Sequence, residues 1–294
     1  MDPRFNSALE SLPEMLAKAL DPILDETFEG YISAGAFAQL QQQTGLEERP
    51  LLLAMLPVAA CMAKPPISNF YVGAIARGSS GDLYMGANHE FTGEVLGHSI
   101  HAEQSAISHA WKAGETGLLD ITVNYSPCGH CRQFMNELST AGALTINLPG
   151  RAPGLLSSYL PYAFGPIDLD NHNPMMSEQP DWGIEVETND PLVEKAVSAA
   201  CNSYAPYSKS PAGVALILES GEIVSGRYGE NAAFNPSMQP MQMAINALAR
   251  RGRDISTIAR AVLVEKQDAQ ISEQNHAAAV LATVCDVKLE VILV

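Results

Sequence analysis

An internal repeat at a constant offset constrains the fold of this chain most strongly. The residues that recur are concentrated in two stretches, 61–90 and 201–230. The matched pairs are Cys61 and Cys201, Pro66 and Pro206, Ser68 and Ser208, Gly73 and Gly213, Ser80 and Ser220, Gly81 and Gly221, Gly86 and Gly226, and Glu90 and Glu230. Because self-similarity at a fixed offset marks a repeated structural unit, the sequence predicts two copies of one fold.

The two copies also share one order of hydrophobic patterns, α-β-β-α-β-α-β. Helical and strand patterns in the first copy cover 50–64, 71–77, 82–87, 101–113, 118–125, 128–138 and 143–148. Those in the second copy cover 191–203, 214–219, 222–226, 241–251, 261–265, 274–284 and 288–293. Because strands alternate with helices, this pattern predicts an α/β fold.

Composition divides the chain into four predicted parts. We expect a small helical N-terminal domain in residues 1–47 and the first copy in residues 48–167. Residues 168–187, which hold prolines, asparagines and acidic residues, are predicted as a linker. The second copy is expected in residues 188–294.

Two short motifs in the first copy carry the candidate chemistry. The first is His101-Ala102-Glu103, and the second is Pro127-Cys128-Gly129-His130-Cys131. One imidazole and two thiolates suit Zn²⁺, and three protein ligands leave a position for water, as in catalytic zinc sites. Glu103 is not needed as a ligand, so it is a candidate general acid and base. Cys128 and Cys131 are the other two ligand candidates, one helical turn apart.

The helix that follows Ser126-Pro127 favours thiolate formation at its N-terminus. His130 lies one residue from Cys131 and therefore points to another side of that helix, so we predict that it is not a ligand. The second copy has Met, Gln and Pro residues between Met238 and Met243, and Gln267–Ile271 in place of the cysteine motif. It is therefore predicted to be a scaffold, a dimerisation element or a source of non-catalytic contacts.

On these motifs the chain resembles the cytidine deaminase family, and in particular its larger, two-copy homodimeric bacterial members. The H-x-E and P-C-x-x-C pair is typical of zinc deaminases. Where others of the family carry Cys-Ala-Glu-Arg, this chain has His101-Ala102-Glu103-Gln104. A neutral imidazole and a neutral amide thus replace a thiolate and a balancing arginine.

The resemblance implies two tandem three-layer α-β-α domains with mixed sheets, after a small helical N-terminal domain. It implies one Zn²⁺ per chain and hydrolytic deamination of cytidine and 2′-deoxycytidine to the uridines, as in pyrimidine salvage. Glu103 would move protons between a zinc-activated water and the base. Substrate contacts are implied for Phe70, Asn88, Glu90, Ala102, Ser126, Ala233 and Phe234.

Those contacts have distinct implied roles. Phe70 would pack on the pyrimidine, and Asn88 and Glu90 would bind the ribose 3′-hydroxyl. The backbone at Ala102 and Ser126 would contact the carbonyl and amino groups of the base. Ala233 and Phe234 would reach the pocket of the neighbouring subunit in a homodimer.

Composition excludes several other function classes. The formal net charge is −16 and no cluster of basic residues suits a phosphate backbone, so no nucleic-acid partner is expected. The longest apolar run, 51–63, is too short to span a bilayer. The segment from Met1 to Leu20 lacks the apolar core of a secretory signal, and five cysteines with a C-x-x-C fit a reducing compartment. We therefore expect a cytoplasmic protein with a small nucleoside substrate.

Two alternatives stay open at this point. A zinc deaminase of a nucleotide, of guanine or of adenosine in tRNA would carry the same metal motifs, although the acidic charge disfavours RNA. A non-catalytic, zinc-stabilised binding protein belongs to a different class. It would require a fourth protein ligand and would give Glu103 no role.

Overall fold

A computed structural model describes residues 2–294 and divides them into two compact units. The first unit comprises residues 2–89, 100–163 and 250–252, and the second comprises residues 90–99, 164–249 and 253–294. Each unit has a β-sheet of its own. Among the described residues, no helix has both the length and the apolar character needed to cross a bilayer.

The first unit is built on a six-stranded mixed sheet. Its elements in chain order are α1 (Asn6–Ser11), α2 (Glu14–Leu20), β1 (Tyr31–Ile32), α3 (Ala34–Thr44), α4 (Glu48–Ala60), β2 (Gly73–Gly78), β3 (Leu83–Ala87), α5 (Ala102–Ala113), β4 (Leu118–Val123), α6 (Gly129–Met135), β5 (Thr145–Asn147), β6 (Gly154–Leu155) and α7 (Leu156–Tyr159). The strand order is β1-β3-β2-β4-β5-β6. Strands β4 and β5 run parallel, and the other neighbours are antiparallel.

The second unit repeats this plan with fewer strands. Its elements are α8 (Pro191–Cys201), β7 (Ala212–Leu218), β8 (Ile223–Arg227), α9 (Pro240–Arg250), β9 (Ile258–Glu265), α10 (Gln274–Ala282) and β10 (Leu289–Leu293). The strand order is β10-β9-β7-β8, with β9 and β10 parallel. The predicted order α-β-β-α-β-α-β and the mixed α/β class are therefore confirmed in both copies.

The N-terminal helices share a hydrophobic core with α4. Side chains such as Phe5, Leu20 and Leu40 pack in one buried cluster with Leu51 and Met55 of that helix. Because α4 is covered in this way as well as by the sheet, it tolerates apolar residues on nearly all its faces. Strand β1 also joins the sheet by pairing with β3. The three boundaries between the four predicted parts stay predictions.

Two pairs of repeated glycines allow helices to lie directly on the sheets. A Cβ atom on Gly73 would lie 2.4 Å from the backbone nitrogen of Ala60, and one on Gly213 would lie 2.2 Å from that of Ala200. A Cβ atom on Gly86 would lie 2.1 Å from the backbone nitrogen of Ala106 in α5. These contacts give a physical reason why these glycines recur in the duplicated sequence.

The substitution Gly86→Ala is expected to destabilise the first unit by about 3 kcal/mol, because α5 must move away from the sheet. Urea denaturation followed by circular dichroism measures this change. Gly142→Ala is the matched control, since a Cβ atom there has no neighbour within 4 Å. Equal stability of the two variants would contradict the proposed close packing.

Candidate metal centre and active site

The first part of the site is the N-terminus of α5. His101 directly precedes the helix and has an extended backbone, with φ −87° and ψ 155°. Its backbone N–H donates to the Gln104 side-chain oxygen at 3.3 Å, so Gln104 closes the first turn as in a capping box. Glu103 follows in that turn and is almost fully buried. This local structure fixes where the His101 imidazole and the Glu103 carboxylate lie.

The second part is the N-terminus of α6, where Cys128 is the N-cap residue. The two thiol sulfurs, Cys128 Sγ and Cys131 Sγ, are 3.7 Å apart. His101 Nδ1 lies 3.3 Å from Cys128 Sγ and 3.2 Å from Cys131 Sγ. These three residues form the one group of metal-ligand type found among residues 2–294. The fold thus brings together the side chains that the two motifs predicted as ligands.

The distances among His101 Nδ1, Cys128 Sγ and Cys131 Sγ fit a zinc ion. With Zn–S bonds of about 2.3 Å and Zn–N bonds of about 2.0 Å, tetrahedral coordination places two sulfurs about 3.8 Å apart and sulfur about 3.5 Å from nitrogen. The observed separations of 3.7 Å, 3.3 Å and 3.2 Å are close to those values. Three side chains therefore suffice for one ion with a fourth position left for solvent.

The charges of this group favour metal binding. The side-chain hydrogen bond between Cys128 and Cys131 lowers the pKa of Cys128 to about 3, and the contact with His101 acts in the same direction. Conversely, the same hydrogen bond and burial raise the pKa of the Cys131 thiol. A thiolate at Cys128 is thus available at neutral pH, and a cation would displace the shared proton.

Glu103 lies beside the ligands without joining their group. Burial raises the pKa of its carboxyl group, and a hydrogen bond with the Cys131 thiol partly opposes that rise. A carboxyl group with a raised pKa accepts a proton more readily than an ordinary carboxyl group, which suits it to take up a proton and return it. His130 is half-buried and its ring stacks on that of His101, with 4.9 Å between the centroids. It lies outside the group of metal-ligand type, and the prediction that it is not a ligand stays a prediction.

An exposed aromatic pair lies in the first unit near the ends of β2 and β4. The Phe70 and Tyr125 rings have centroids 4.4 Å apart, and each side chain is about half exposed. The Asn88 side chain supports the Phe70 backbone by donating to its carbonyl oxygen at 2.8 Å and accepting from Val72 N–H at 2.9 Å. Sequence reasoning missed Tyr125, although its position directly before Ser126-Pro127 marks it as part of the metal-binding loop.

Arg132 fixes the loop that leads into α6, and the sequence motifs did not indicate this role. Its guanidinium donates to Pro127 O at 2.7 Å, to Tyr159 O at 2.9 Å and to Ser126 Oγ at 3.3 Å. Ser126 is exposed, whereas Ala102 at the start of α5 is fully buried. The predicted backbone contacts of Ala102 and Ser126 with the base stay predictions.

Three predicted contact residues, Glu90, Ala233 and Phe234, belong to the second unit. Phe234 is 66% exposed and has a left-handed backbone with φ 62°. A bulky residue in that region is strained, and strained residues are concentrated at functional positions. The Asn231 side chain accepts from Ala233 N–H at 3.0 Å and so supports the loop. Their roles stay predictions.

The second unit has polar residues where the first has metal ligands, but not at the positions expected from the constant offset. Gln239 directly precedes α9, and Glu273 is the N-cap of α10, so they correspond to His101 and Cys128. The prediction that Gln267–Ile271 replaces the cysteine motif is wrong, because the loop before α10 is longer than the loop before α6. When the Gln239 side-chain amide is oriented with its nitrogen toward Glu273, that nitrogen donates hydrogen bonds to both carboxylate oxygens at 2.8 Å.

Glu273→Gln is expected to remove a pH dependence of stability. Burial, with the nearby Glu265 carboxylate, raises the pKa of Glu273 from 4.5 to about 8 in the folded protein. Its contribution to stability is therefore fully present below about pH 4.5 and is lost as the pH rises through about 8. At pH 9 we expect the free energy of unfolding of Glu273→Gln to exceed that of wild type by at most about 5 kcal/mol, because the N–H bonds from Gln239 favour the carboxylate and oppose the effect of burial. Urea denaturation at pH 5, 7 and 9 measures the difference, and a constant difference would contradict this account.

Comparison with known proteins places these features in one family. Models of the cytidine and deoxycytidylate deaminase zinc-binding region match residues 47–145 and 156–278. A cytidine deaminase of Shewanella pealeana is 53% identical over 294 residues, covering 100% of this chain and 99% of that protein. This chain belongs to the cytidine deaminase family. The cytidine deaminase of Shewanella oneidensis is 52% identical with the same coverage. A crystal structure of the enzyme from Mycobacterium tuberculosis is 31% identical and covers 41% of this chain and 99% of that one, with a TM-score of 0.37.

Membership of the cytidine deaminase family confirms the predicted family, the enzyme class and the zinc cofactor. The zinc-binding description applies to a region that includes His101, Cys128 and Cys131. The second family match, over residues 156–278, overlaps the unit in which Gln239 and Glu273 occupy the corresponding positions.

Proposed function

We propose that this chain catalyses the hydrolytic deamination of cytidine and 2′-deoxycytidine to uridine and 2′-deoxyuridine, releasing ammonia. One observation supports this most: a buried carboxyl group with a raised pKa, Glu103, lies beside a group of three metal-ligand side chains. A structural zinc site would have four protein ligands and no function for that carboxyl group. The relatives named above are cytidine deaminases, and a role in pyrimidine salvage follows from the reaction.

In this proposal each residue has a defined task. His101, Cys128 and Cys131 would hold the zinc, which would supply an activated water molecule and stabilise the negative charge that develops during attack at C4. Glu103 accepts a proton from the water and delivers it to N3 of the base, which makes C4 more electrophilic. Glu103 would then accept the remaining proton of the attacking oxygen, now the C4 hydroxyl, and deliver it to the amino group, so that the C4–N bond breaks, the C4 carbonyl forms and ammonia leaves.

The substrate contacts are proposed from the resemblance, and the geometry supports several of them. Phe70 is exposed beside Tyr125, so an aromatic surface is available for the pyrimidine ring. Asn88 uses one N–H and one lone pair on the Phe70–Val72 backbone, which leaves a second N–H for a ribose hydroxyl. Glu90 would accept from the same hydroxyl. The backbone at Ala102 and Ser126 would bind the carbonyl and amino groups of the base.

A turnover assay tests the proposed function directly. The zinc-loaded chain is expected to deaminate cytidine and 2′-deoxycytidine, detected as a loss of ultraviolet absorbance and as released ammonia. Cytidine 5′-monophosphate and guanine serve as competing substrates, since they represent the alternative deaminases. We expect cytidine to be preferred over its 5′-monophosphate because the acidic chain offers no basic cluster for a phosphate. Preference for either of those competing substrates, or no turnover of any, would contradict the proposal.

We further propose that the chain acts in the cytoplasm as a homodimer in which Ala233 and Phe234 contact the partner's pocket. The exposed, strained Phe234 supports this, because an aromatic ring held in solvent gains stability from a partner surface. Mixed dimers test it. A dimer of one Glu103→Gln chain and one Phe234→Ala chain has one complete site if Phe234 acts across the interface. Activity should then appear on mixing, whereas no recovery would contradict an intersubunit role.

A further inference from the structure

The segment from Phe70 to Gly73 is held by two asparagine side chains. Asn88 Nδ2 donates to Phe70 O, and Asn88 Oδ1 accepts from Val72 N–H. In the same way, Asn124 Nδ2 donates to Tyr71 O at 3.2 Å, and Asn124 Oδ1 accepts from Gly73 N–H at 3.2 Å. Four successive residues thus each have a backbone group bonded to a side-chain amide.

The second unit lacks both amides at this place. Its strand pairing continues through Gly213 with Val264 and Ala212 with Glu265, whereas pairing of β2 with β4 ends at Ala74 with Val123. At the offset that relates Cys61 to Cys201, Tyr228 replaces Asn88 and Val264 replaces Asn124. The fold therefore does not require the two amides. Both asparagines lie in the first unit, which also contains the group of metal-ligand side chains.

Asn124 connects this segment to the metal-binding loop. It follows β4 directly and precedes Tyr125, whose ring packs on that of Phe70 with 4.4 Å between centroids. The same loop then leads to Cys128. Asn69, just before Phe70, has a left-handed backbone with φ 52°, and Lys209 has φ 56° at the corresponding position of the second unit, so this turn belongs to the repeated fold. Asn124 adds two hydrogen bonds to the segment that follows this turn, at Tyr71 and Gly73.

We propose that Asn124 is a positioning residue for substrate binding: its amide holds the Phe70–Gly73 segment beside the metal-binding loop and so presents the Phe70 ring to the pyrimidine. This inference rests on the proposed function. It assigns Asn124 no contact with the reacting atoms. Loss of its amide should therefore weaken the binding of substrate and product while leaving the chemical step nearly intact.

Asn124→Asp is the sharpest test in the full, zinc-loaded chain. The carboxylate still accepts from Gly73 N–H, but it places an acceptor against Tyr71 O where the amide donated. We expect KM for cytidine to rise about tenfold, which corresponds to one lost hydrogen bond, and kcat to change by less than about twofold. The Kd of uridine, measured by titration calorimetry, should rise by the same factor. Zinc content and thermal midpoint should match wild type.

Asn202→Asp is the matched control, because Asn202 Nδ2 donates to a backbone carbonyl, Ser198 O, in the second unit at 2.7 Å. It should leave KM and the uridine Kd unchanged. Asn124→Ser provides a second variant without a new charge and should raise both constants in the same direction. A purely structural role would instead lower the thermal midpoint and the active fraction, with KM constant in the folded protein.

The outcomes separate this inference from the function on which it rests. If wild type deaminates cytidine but Asn124→Asp and Asn124→Ser keep the wild-type KM and uridine Kd, the role of Asn124 is overturned and the proposed function stands. If wild type does not deaminate cytidine, the proposed function fails and this inference fails with it.

Discussion

Glu103→Gln is expected to lower kcat for cytidine by about 10⁴-fold, because the amide cannot accept a proton from water or return one to the base. Glutamine has nearly the same size and shape as the glutamate that it replaces. It therefore fills the same almost fully buried space, and the fold should persist. One zinc per chain should remain bound, since Glu103 lies outside the group of ligands. Steady-state kinetics and zinc analysis on the same sample measure both quantities.

Glu115→Gln is the matched control for this exchange. Its carboxylate accepts from the Tyr84 hydroxyl at 3.0 Å in the same unit and has no role in the proposed reaction. We expect nearly wild-type turnover from that variant. If Glu103→Gln also retained turnover close to wild type, the proposed proton transfer through Glu103 would be rejected.

Cys131→Ala is expected to abolish both zinc binding and turnover. Only His101 and Cys128 would remain of the ligands, and Cys128 would lose the thiol whose hydrogen bond lowers its pKa. Two ligands with a less acidic thiol do not hold zinc through dialysis, so zinc should fall from about one to below about 0.1 per chain. Elemental analysis after dialysis against a weak chelator measures this.

Cys285→Ala in the second unit controls for the loss of a thiol. Its sulfur donates to a helix carbonyl, Leu281 O, and belongs to no metal-ligand group among the described residues. It should retain full zinc content and activity. A Cys131→Ala chain that retained zinc at the wild-type level would show that the ligands lie elsewhere.

Local sequence patterns predicted the order of helices and strands and the three side chains that the fold brings into one group, because both depend largely on short spacings. Cys128 and Cys131 are one helical turn apart, and His101 and Glu103 lie at the start of one helix. The repeat then supplied the architecture, since Gly73 and Gly86 recur where helices touch the sheets. These features could be predicted because each follows from a few neighbouring residues or from comparison of the two copies.

Contacts between distant segments could not be predicted in this way. Asn124 and Arg132 act through backbone carbonyl groups, which leave no pattern in the side-chain sequence. A constant offset between the copies does not find Glu273, the counterpart of Cys128, because the loop before α10 is longer than the loop before α6. Glutamate is also not a preferred N-cap residue, so helix-start rules do not identify it.

The coordination of zinc in the intact wild-type chain tests the central claim most directly. X-ray absorption at the zinc K edge, with elemental analysis, reports the number and type of ligand atoms. We expect one zinc per chain with two sulfur neighbours at about 2.3 Å and two lighter neighbours at about 2.0 Å, one from His101 and one from solvent. A second measurement with a hydrated pyrimidine riboside analogue should perturb the solvent ligand alone. A metal-free chain, or zinc closed by four side chains and unaffected by the analogue, would contradict the account.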